Sequence, residues 1–269
     1  MTHSNVSSRL PSRTALQTTI ALFAAETMKL VSSRATWILV LVTILGTWPM
    51  ALSNASSGVD LPADDPLLFS SEPIPLEFQG FEMAGFGYVL VVAISALWAG
   101  SEYGSGGQLR TTLLATPRRL RVFIVKVALL TVLVAATAFL TMWGTIAITH
   151  SAGQTSVDPW TLNEAIWSNL AGVTVAWVLT AVITFAIGTL ARSAILPLIL
   201  ITPLVIGIGD FLAGLWDGAR FLPITAGAAM HSDPASGTVL EPLTGGLVQA
   251  GWAASLLIAA AISFTRRDL

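Results

Sequence analysis

Residues 165–191 read AIWSNLAGVTVAWVLTAVITFAIGTLA and contain no Asp, Glu, Lys or Arg. Lipid offers the backbone no hydrogen-bond partners, so a bilayer is crossed by a helix of about 20 mainly apolar residues. The whole chain of 269 residues has the same character, with 54% hydrophobic and 10% charged residues and a mean hydropathy of +0.76. A soluble domain carries about 25% charged residues. We therefore expect an all-α integral membrane protein.

Five further uncharged runs occur along the chain. The predicted spans cover about residues 35–54, 83–101, 122–149, 164–190, 194–216 and 243–265. Span five is the shortest uncharged run, with 17 residues between Arg192 and Asp210. It also contains Pro197 and Pro203, and proline interrupts the helical hydrogen-bond ladder, so we expect this span to be kinked or broken. Residues 1–14 are expected to form a tail, and residues 15–269 a single transmembrane domain.

The basic residues indicate the orientation. Of the 13 Lys and Arg residues, all but Arg220 fall before span one, between spans two and three, between spans four and five, or after span six. The opposite loops are acidic. Loops rich in Lys and Arg stay in the cytoplasm, which places both termini there. An odd number of spans would break the alternation, so the count of six and the orientation support each other.

The segment Ala15–Ser33 precedes span one and has an amphipathic pattern. One helical stripe is apolar, with Leu16, Ile20, Phe23 and Leu30. Another stripe carries Glu26, Lys29 and Ser33, so the segment is predicted to be an interfacial helix. A cleaved signal peptide is the competing interpretation, but the apolar patch is short and Glu26 follows it directly.

The loop after span two reads SEYGSGGQLRTTLLATPRRLRVFIVK from Ser101 to Lys126. Residues 108–116 can form a short helix with Leu109 and Leu113 one turn apart, and Pro117 ends it. Such a helix, with exposed leucines and Arg110, could press into a groove on a cytosolic partner. A solvated basic loop that fixes topology and contacts lipid phosphates is an equal alternative from the residues alone.

At this point the sequence resembles the permease subunits of ABC transporters of the type-2 (ABC-2) exporter family. Members begin with an amphipathic helix carrying a Glu and a Lys, followed by an Arg and a Trp, similar to Glu26, Lys29, Arg34 and Trp37. After span two they carry an acidic-aromatic pair, an Arg-Thr-Thr-Leu stretch, a Pro-Arg-Arg and a Lys. The matching residues are Glu102, Tyr103, Arg110, Thr111, Thr112, Leu113, Pro117, Arg118, Arg119 and Lys126.

The resemblance implies roles for these segments. The first helix, with Glu26, Lys29 and Arg34, would be the family's elbow helix, and the loop would hold a coupling helix that docks on an ATPase. The implied docking residues are Glu102, Tyr103, Gln108, Leu109, Arg110, Thr111, Thr112, Leu113, Leu114, Pro117, Arg118 and Arg119. It also implies short, partly re-entrant outer helices between spans five and six, compatible with residues 221–241.

The implied partners are an ABC ATPase in two copies, a second permease copy that is identical or related, and the lipid membrane of a bacterial cell. The chain itself has no G-x-x-x-x-G-K-[ST], and neither of its two lysines follows a glycine-rich loop. ATP and Mg would therefore be bound by the ATPase, and we expect no catalytic residue, cofactor or nucleic acid for this chain. Cysteine is absent, and His150 and His231, expected on the surface of outer loops, are too few for a metal site.

Four residues are candidates for a cavity or gate: Trp98, Pro197, Pro203 and Asp210. Asp210 lies within or at the edge of span five, where an ionisable group is a functional candidate. The simpler interpretation is that it caps a helix break after Gly207 and Gly209. Trp98 could line a cavity, although a packing or lipid-facing role is at least as plausible.

The resemblance favours an ATP-driven exporter of an amphiphilic drug, antibiotic, peptide or lipid. An ion-coupled secondary transporter that acts without an ATPase is the alternative, and only the irregular span five hints at it. A membrane-embedded enzyme would need a nucleophile with a base or a metal cluster inside the spans, and the sequence offers neither.

Overall fold

The computed structural model describes residues 15–57, 75–81, 83–103, 118–152, 161–232 and 240–266, which contain helices and turns but no strand. The α-helices of this part of the chain are Ala15–Ser32 (α1), Arg34–Ser57 (α2), Ala84–Gly100 (α3), Arg119–Ala152 (α4), Glu164–Ala191 (α5), Ile195–Pro203 (α6), Gly209–Leu215 (α7), Pro223–Ala228 (α8) and Pro242–Arg266 (α9). Short 3₁₀ turns cover Leu76–Phe78, Ser101–Tyr103 and Asp217–Phe221. A π turn, Leu204–Ile208, joins α6 to α7.

Within these residues, five segments are long and apolar enough to cross a membrane: Arg34–Ser53, Arg119–Ala152, Glu164–Ala191, Ile195–Leu215 and Pro242–Arg266. The helix α3 is equally apolar but has only 17 residues. The 3₁₀ turn Ser101–Tyr103 continues it for one further turn. The chain is thus an all-helical, multi-pass membrane protein in the described ranges, and the sixth span stays a prediction.

The central helix of the bundle is α5, which packs against α3, α4, α6, α8 and α9. Its start is fixed by Asn163, whose side chain accepts a hydrogen bond of 2.8 Å from the Ile166 amide, an N-cap of the usual kind. Its end is fixed by Arg192, which adopts the left-handed conformation with φ 52°. Leu170 and Trp177, between these ends, are fully buried.

Several threonine hydroxyls inside the spans are satisfied within their own helices. Thr43 of α2 donates to the Leu39 carbonyl at 2.7 Å, and Thr141 of α4 donates to the Thr137 carbonyl at the same distance. A hydroxyl that bonds one turn back needs no partner from lipid or from another helix. These spans therefore tolerate polar residues that a hydropathy count alone would penalise.

Glycines allow neighbouring helices to approach closely. A Cβ at Gly144 of α4 would lie 2.2 Å from Trp48 Nε1, and a Cβ at Gly87 of α3 would lie 2.1 Å from Trp177 Cη2. The Trp48 indole also donates to the Thr141 carbonyl at 3.2 Å. Small residues at helix crossings are the usual basis of packing in membranes, where the hydrophobic effect does not drive helices together.

The predicted break in span five is confirmed: the regular helix ends at Pro203, and the non-helical residue is Gly207. Pro197 is in the first turn of α6, where its missing N–H is unused anyway. The helix ends at Pro203, and the break follows at Gly207, which has φ 111° and ψ −5°. Glycine adopts this conformation readily because it has no Cβ. The non-helical backbone angles at the break are therefore those of a glycine.

We predict that Gly87→Ala destabilises the bundle by about 1–3 kcal/mol, because the new methyl group overlaps the Trp177 ring. The matched control is Gly85→Ala, two residues away, where a Cβ meets nothing within 4 Å. Thermal unfolding in detergent measures both. Equal midpoints for the two variants would contradict the close packing of α3 on α5.

Candidate functional site

A buried cluster of charges joins α1 to α4. The Glu26 side chain has no exposed surface, and its two oxygens contact different lysines. Lys29 Nζ donates to Glu26 Oε1 at 2.7 Å, and Lys126 Nζ lies 2.7 Å from Glu26 Oε2. The Lys126 side chain is 2% exposed and the Lys29 side chain 29% exposed. Lys126 and Glu26 thus form an ion pair that water does not reach.

The sequence of α1 places Glu26 on the inner face of the helix. Leu22, Glu26 and Leu30 follow one another at intervals of one turn, and all three are buried. Leu22 packs in one cluster with Val122 and Val125 of α4. The carboxylate is therefore carried into the bundle by the leucines on either side of it.

The outward face of α1 is apolar. Ile20, Phe23, Met28 and Val31 are 60%, 47%, 72% and 59% exposed. The predicted apolar stripe is thus divided, because Leu30 faces the protein whereas Ile20 and Phe23 do not. This is the reverse of an amphipathic helix on a soluble protein, which turns its apolar side inward. In a membrane, apolar side chains can face lipid, while a carboxylate must find its partners inside the protein.

Trp98 connects α3 to the same cluster. Its indole N–H donates to the Lys126 carbonyl at 3.2 Å, and the Lys126 ammonium lies 4.6 Å from the centre of a Trp98 ring. An ammonium over an indole face is attracted by the ring electrons, most strongly where water is absent. Trp98 is therefore a buried packing and hydrogen-bonding residue.

The electrostatics keep Glu26 charged. Burial on its own raises the pKa of the Glu26 carboxyl, but Lys126 and then Lys29 more than offset it through charge and hydrogen bonds. The net pKa lies below the ordinary value of 4.5. At neutral pH the carboxylate is ionised, and the cluster contains one negative and two positive groups.

The loop that the sequence singled out begins beside the packing of α1 on α4 and leads into the start of α4. Tyr103, at the end of the 3₁₀ turn after α3, packs against the cluster of Leu22, Val122 and Val125. Arg118 is exposed, and Arg119 begins α4 two turns before Lys126. The residues of the predicted coupling helix, Gln108, Leu109, Arg110, Thr111, Thr112, Leu113, Leu114 and Pro117, lie outside the described residues, as does the Glu102 side chain.

The other predicted site residues do not gather at one place. Arg34 is the first residue of α2 and is exposed. Pro197 is buried in α6. Asp210 is exposed in the first turn of α7, and no side chain caps that helix start, so the capping interpretation of Asp210 is wrong.

A polar connection between three helices was not predicted from the sequence. Gln249 of α9, which is fully buried, donates to the Ala176 carbonyl at 3.2 Å and to Thr180 Oγ1 at 2.9 Å. The Thr180 hydroxyl in turn donates to Tyr88 Oη of α3 at 3.3 Å. The sequence did contain a signal for this connection. Gln249 is the one amide side chain in an uncharged span, and such a group needs hydrogen-bond partners inside the protein.

The expected surface position in an outer loop is wrong for His150. His150 is 2% exposed and lies within α4, which extends beyond the predicted end of span three. His231 follows α8 and is half-buried, with its ring 6.4 Å from the Tyr88 ring. The described residues contain no group of three His, Cys, Asp or Glu side chains that could hold a metal ion.

The sequence was compared with models of known protein families. A family model described as "ABC-2 family transporter protein" matches residues 22–209, more than half of the chain. The chain belongs to the ABC-2 transporter family. A search of curated proteins gave no match. The matched range of this ABC-2 permease contains the whole ion-pair cluster and the loop beside it.

The family assignment sets the general activity. The ABC-2 membrane domain is a permease and not a catalytic domain, and permeases of this family normally work with an ATPase subunit. The described residues accordingly supply membrane helices and a charged cluster that holds helices together. In this permease, the role of the cluster is to hold helices together by the attraction between opposite charges.

We predict that Glu26→Gln destabilises the permease by about 3–5 kcal/mol, because it leaves the Lys126 ammonium buried without its counter-ion. The matched control is Asp217→Asn, which removes the exposed Asp217–Arg220 pair of 3.1 Å. An exposed pair is worth about 0–1 kcal/mol. Denaturant unfolding in mixed micelles measures both, and equal losses would contradict a buried ion pair.

The stability of the permease should also depend on pH in a defined direction. The folded-state pKa of Glu26 lies below its unfolded value, so the pair contributes stability above that unfolded value and loses it as the pH falls through the folded pKa. The difference in unfolding free energy between wild type and Glu26→Gln should therefore stay constant from neutral pH down to the ordinary value of 4.5 and shrink as the pH falls further. A difference that stays unchanged well below pH 4.5 would contradict an ionised Glu26.

Proposed function

We propose that this permease is the membrane half of an ATP-driven exporter, with six spans and both termini in the cytoplasm. In this proposal α3 and the turn that extends it supply the sixth span. A separate ABC ATPase hydrolyses ATP, a second permease copy completes the pathway, and the cargo is an amphiphile such as a drug, antibiotic, peptide or lipid. The distribution of basic residues supports the orientation, and the proposal places the permease in the plasma membrane of a bacterium.

The observation that carries the proposal is the attachment of three helices at the base of one loop. Residues 104–117 follow Tyr103, which packs against the seam between α1 and α4, and precede Arg118, which leads into α4. Glu26 fixes α1 to α4 through Lys126, and Trp98 fixes α3 to the same lysine. A displacement of the loop by an ATPase would therefore move α1, α3 and α4 together.

The exposed apolar face of α1 gives the attachment a second role. With Ile20, Phe23, Met28 and Val31 turned outward, α1 is suited to lie at the boundary of the acyl chains and headgroups. A helix that is seated in the interface and also bonded to α4 gives that span a fixed depth. The span would then tilt about this end when the loop moves, which alternating access requires.

The first test is co-purification in detergent with the ATPase encoded beside this permease. Wild type should retain the ATPase, whereas Leu109→Glu combined with Leu113→Glu should lose it while keeping its elution profile. Acidic side chains would disrupt an apolar helix-in-groove contact. The matched control is Leu120→Glu, which changes an exposed leucine of α4 outside the predicted coupling helix.

If wild type retains no ATPase, the exporter proposal fails and the alternative takes its place. That alternative is an ion-coupled secondary transporter, and Asp210 favours it, because the carboxyl group is exposed beside the break in span five. Reconstituted transport that needs no ATPase and disappears in Asp210→Asn would support this alternative.

A further inference from the structure

The 3₁₀ turn Asp217–Phe221, which follows α7, lies level with the middle of α9. The Trp252 indole donates to the Phe221 carbonyl at 3.0 Å, which fixes the turn beside that residue. Pro242 and Arg266 are the ends of α9, and Trp252 is near its centre. At about 1.5 Å per residue, Trp252 lies about 15 Å from Pro242, which is half of a hydrocarbon core of about 30 Å. The turn is therefore at mid-membrane depth.

The path of α8 agrees with this depth. A Cβ on Gly245, in the first turn of α9, would lie 2.3 Å from the Ala226 carbonyl oxygen, and one on Gly246 would lie 2.9 Å from Met230 Sδ. The chain thus runs through α8 from the centre of α9 toward its start, the end that the proposed orientation places outside. Ala219 of the turn is fully buried, so the turn is packed against the protein at this point.

The turn carries two charged side chains. Arg220 Nη2 lies 3.1 Å from Asp217 Oδ1, and the side chains of Arg220 and Asp217 are 35% and 90% exposed. Arg220 Nε is buried and has no hydrogen-bond partner among the described residues. The described part of the chain therefore leaves the carboxylate uncovered and one guanidinium donor unused.

Hydrocarbon is an unfavourable neighbour for this pair. A charged group at mid-membrane depth is costly in lipid, so such groups face a water-filled cavity or another protein surface. Orientation does not explain the cation either, because Arg220 is the one basic residue on the side of the chain where the loops are acidic. A role in binding gives a reason for its place.

The surface around the pair is apolar and aromatic. Trp216 and Phe221 are 68% and 50% exposed, and Phe211 of α7 is 67% exposed. Sites for small molecules combine such surfaces with a few polar groups that fix orientation. A guanidinium suits a phosphate or carboxylate, and a carboxylate suits an ammonium group. Because Arg220 and Asp217 carry opposite charges, a head group of a single sign would be repelled by one of them.

We propose that Asp217 and Arg220 bind the zwitterionic head group of the cargo halfway across the membrane, with its phosphate or carboxylate on Arg220 and its ammonium on Asp217. Resting on the proposed function, this narrows the cargo to amphiphiles that carry both charges, such as peptides with free ends or lipids with an amine on a phosphate head.

Cysteine labelling tests whether water reaches the pair, because the natural chain has no cysteine. In nanodiscs, a membrane-impermeant methanethiosulfonate should modify Asp217→Cys about tenfold faster than Gly251→Cys, since thiolate forms in water. Gly251 adjoins Trp252, so the depth is the same, and a Cβ there meets nothing within 4 Å. It lies on the side of α9 that carries the exposed Leu247 and Ile258. Equal rates would overturn the proposal.

Binding of three dodecyl probes to the permease in nanodiscs tests the charge preference. Dodecyl phosphoethanolamine carries both charges, whereas dodecyl phosphate and dodecylamine carry one each. Wild type should bind the first probe about tenfold more tightly than the other two, and Arg220→Gln and Asp217→Asn should each remove about this factor, the effect of one charge-assisted hydrogen bond. Arg118→Gln, the matched control at an exposed arginine before α4, should leave binding unchanged.

The charge-swapped variant Asp217→Arg, Arg220→Asp controls for local disturbance. It keeps both charges and should retain the binding of dodecyl phosphoethanolamine that each single variant loses. Wild-type binding in Arg220→Gln would overturn the proposal. Separation of two permease copies in Arg220→Gln would also overturn it, since the pair would then be a contact between copies. Neither labelling nor binding needs the ATPase or transport, so a failure of the exporter proposal would appear separately, in the co-purification.

Discussion

A buried carboxylate needs a counter-charge, and this requirement organises one end of the bundle. Glu26 has no exposed surface, so its charge is stable only while Lys126 remains within ion-pair distance. Lys126 in turn holds Trp98 through its backbone carbonyl and its ammonium group. Three helices from separate parts of the chain are thereby joined at one end of the bundle.

The packing of the other helices reflects the lipid that surrounds them in place of water. Because apolar residues gain little by meeting one another in lipid, the helices associate through glycine contacts and a few hydrogen bonds. Gly87 accommodates Trp177, Gly144 accommodates Trp48, and Gln249 connects α9 to α5. The strongest attachments are thus few and local.

Much of the architecture follows from the sequence, because uncharged runs are a strong signal in a membrane protein. The helices α2, α4, α5 and α9 lie where the runs predict them, and α1 ends within one residue of the predicted Ser33. The charged cluster was predicted only in part. Glu26, Lys29 and Lys126 were singled out through a family resemblance, but the contact between Glu26 and Lys126 joins residues a hundred positions apart, and periodicity within one helix cannot reveal it.

Other features were predicted incompletely because neighbouring residues in the sequence give conflicting signals. Two prolines indicated the break in span five, yet the first turn of α6 accommodates Pro197 and the backbone turns at Gly207. The inward direction of Glu26 could not be read from its helical stripe, because a stripe does not say whether water, lipid or protein lies beside it. His150 was placed in a loop because the apolar run stops there, whereas α4 continues past it to Ala152.

The account depends most on α1 and α4 moving as one body. Its most direct test is a pair of structures of the permease with its ATPase, one without nucleotide and one with ATP trapped. The account predicts that the distance between Glu26 Oε2 and Lys126 Nζ stays near 2.7 Å in both, while the ends of the loop shift relative to α5. An ion pair that is intact in one structure and broken in the other would contradict it.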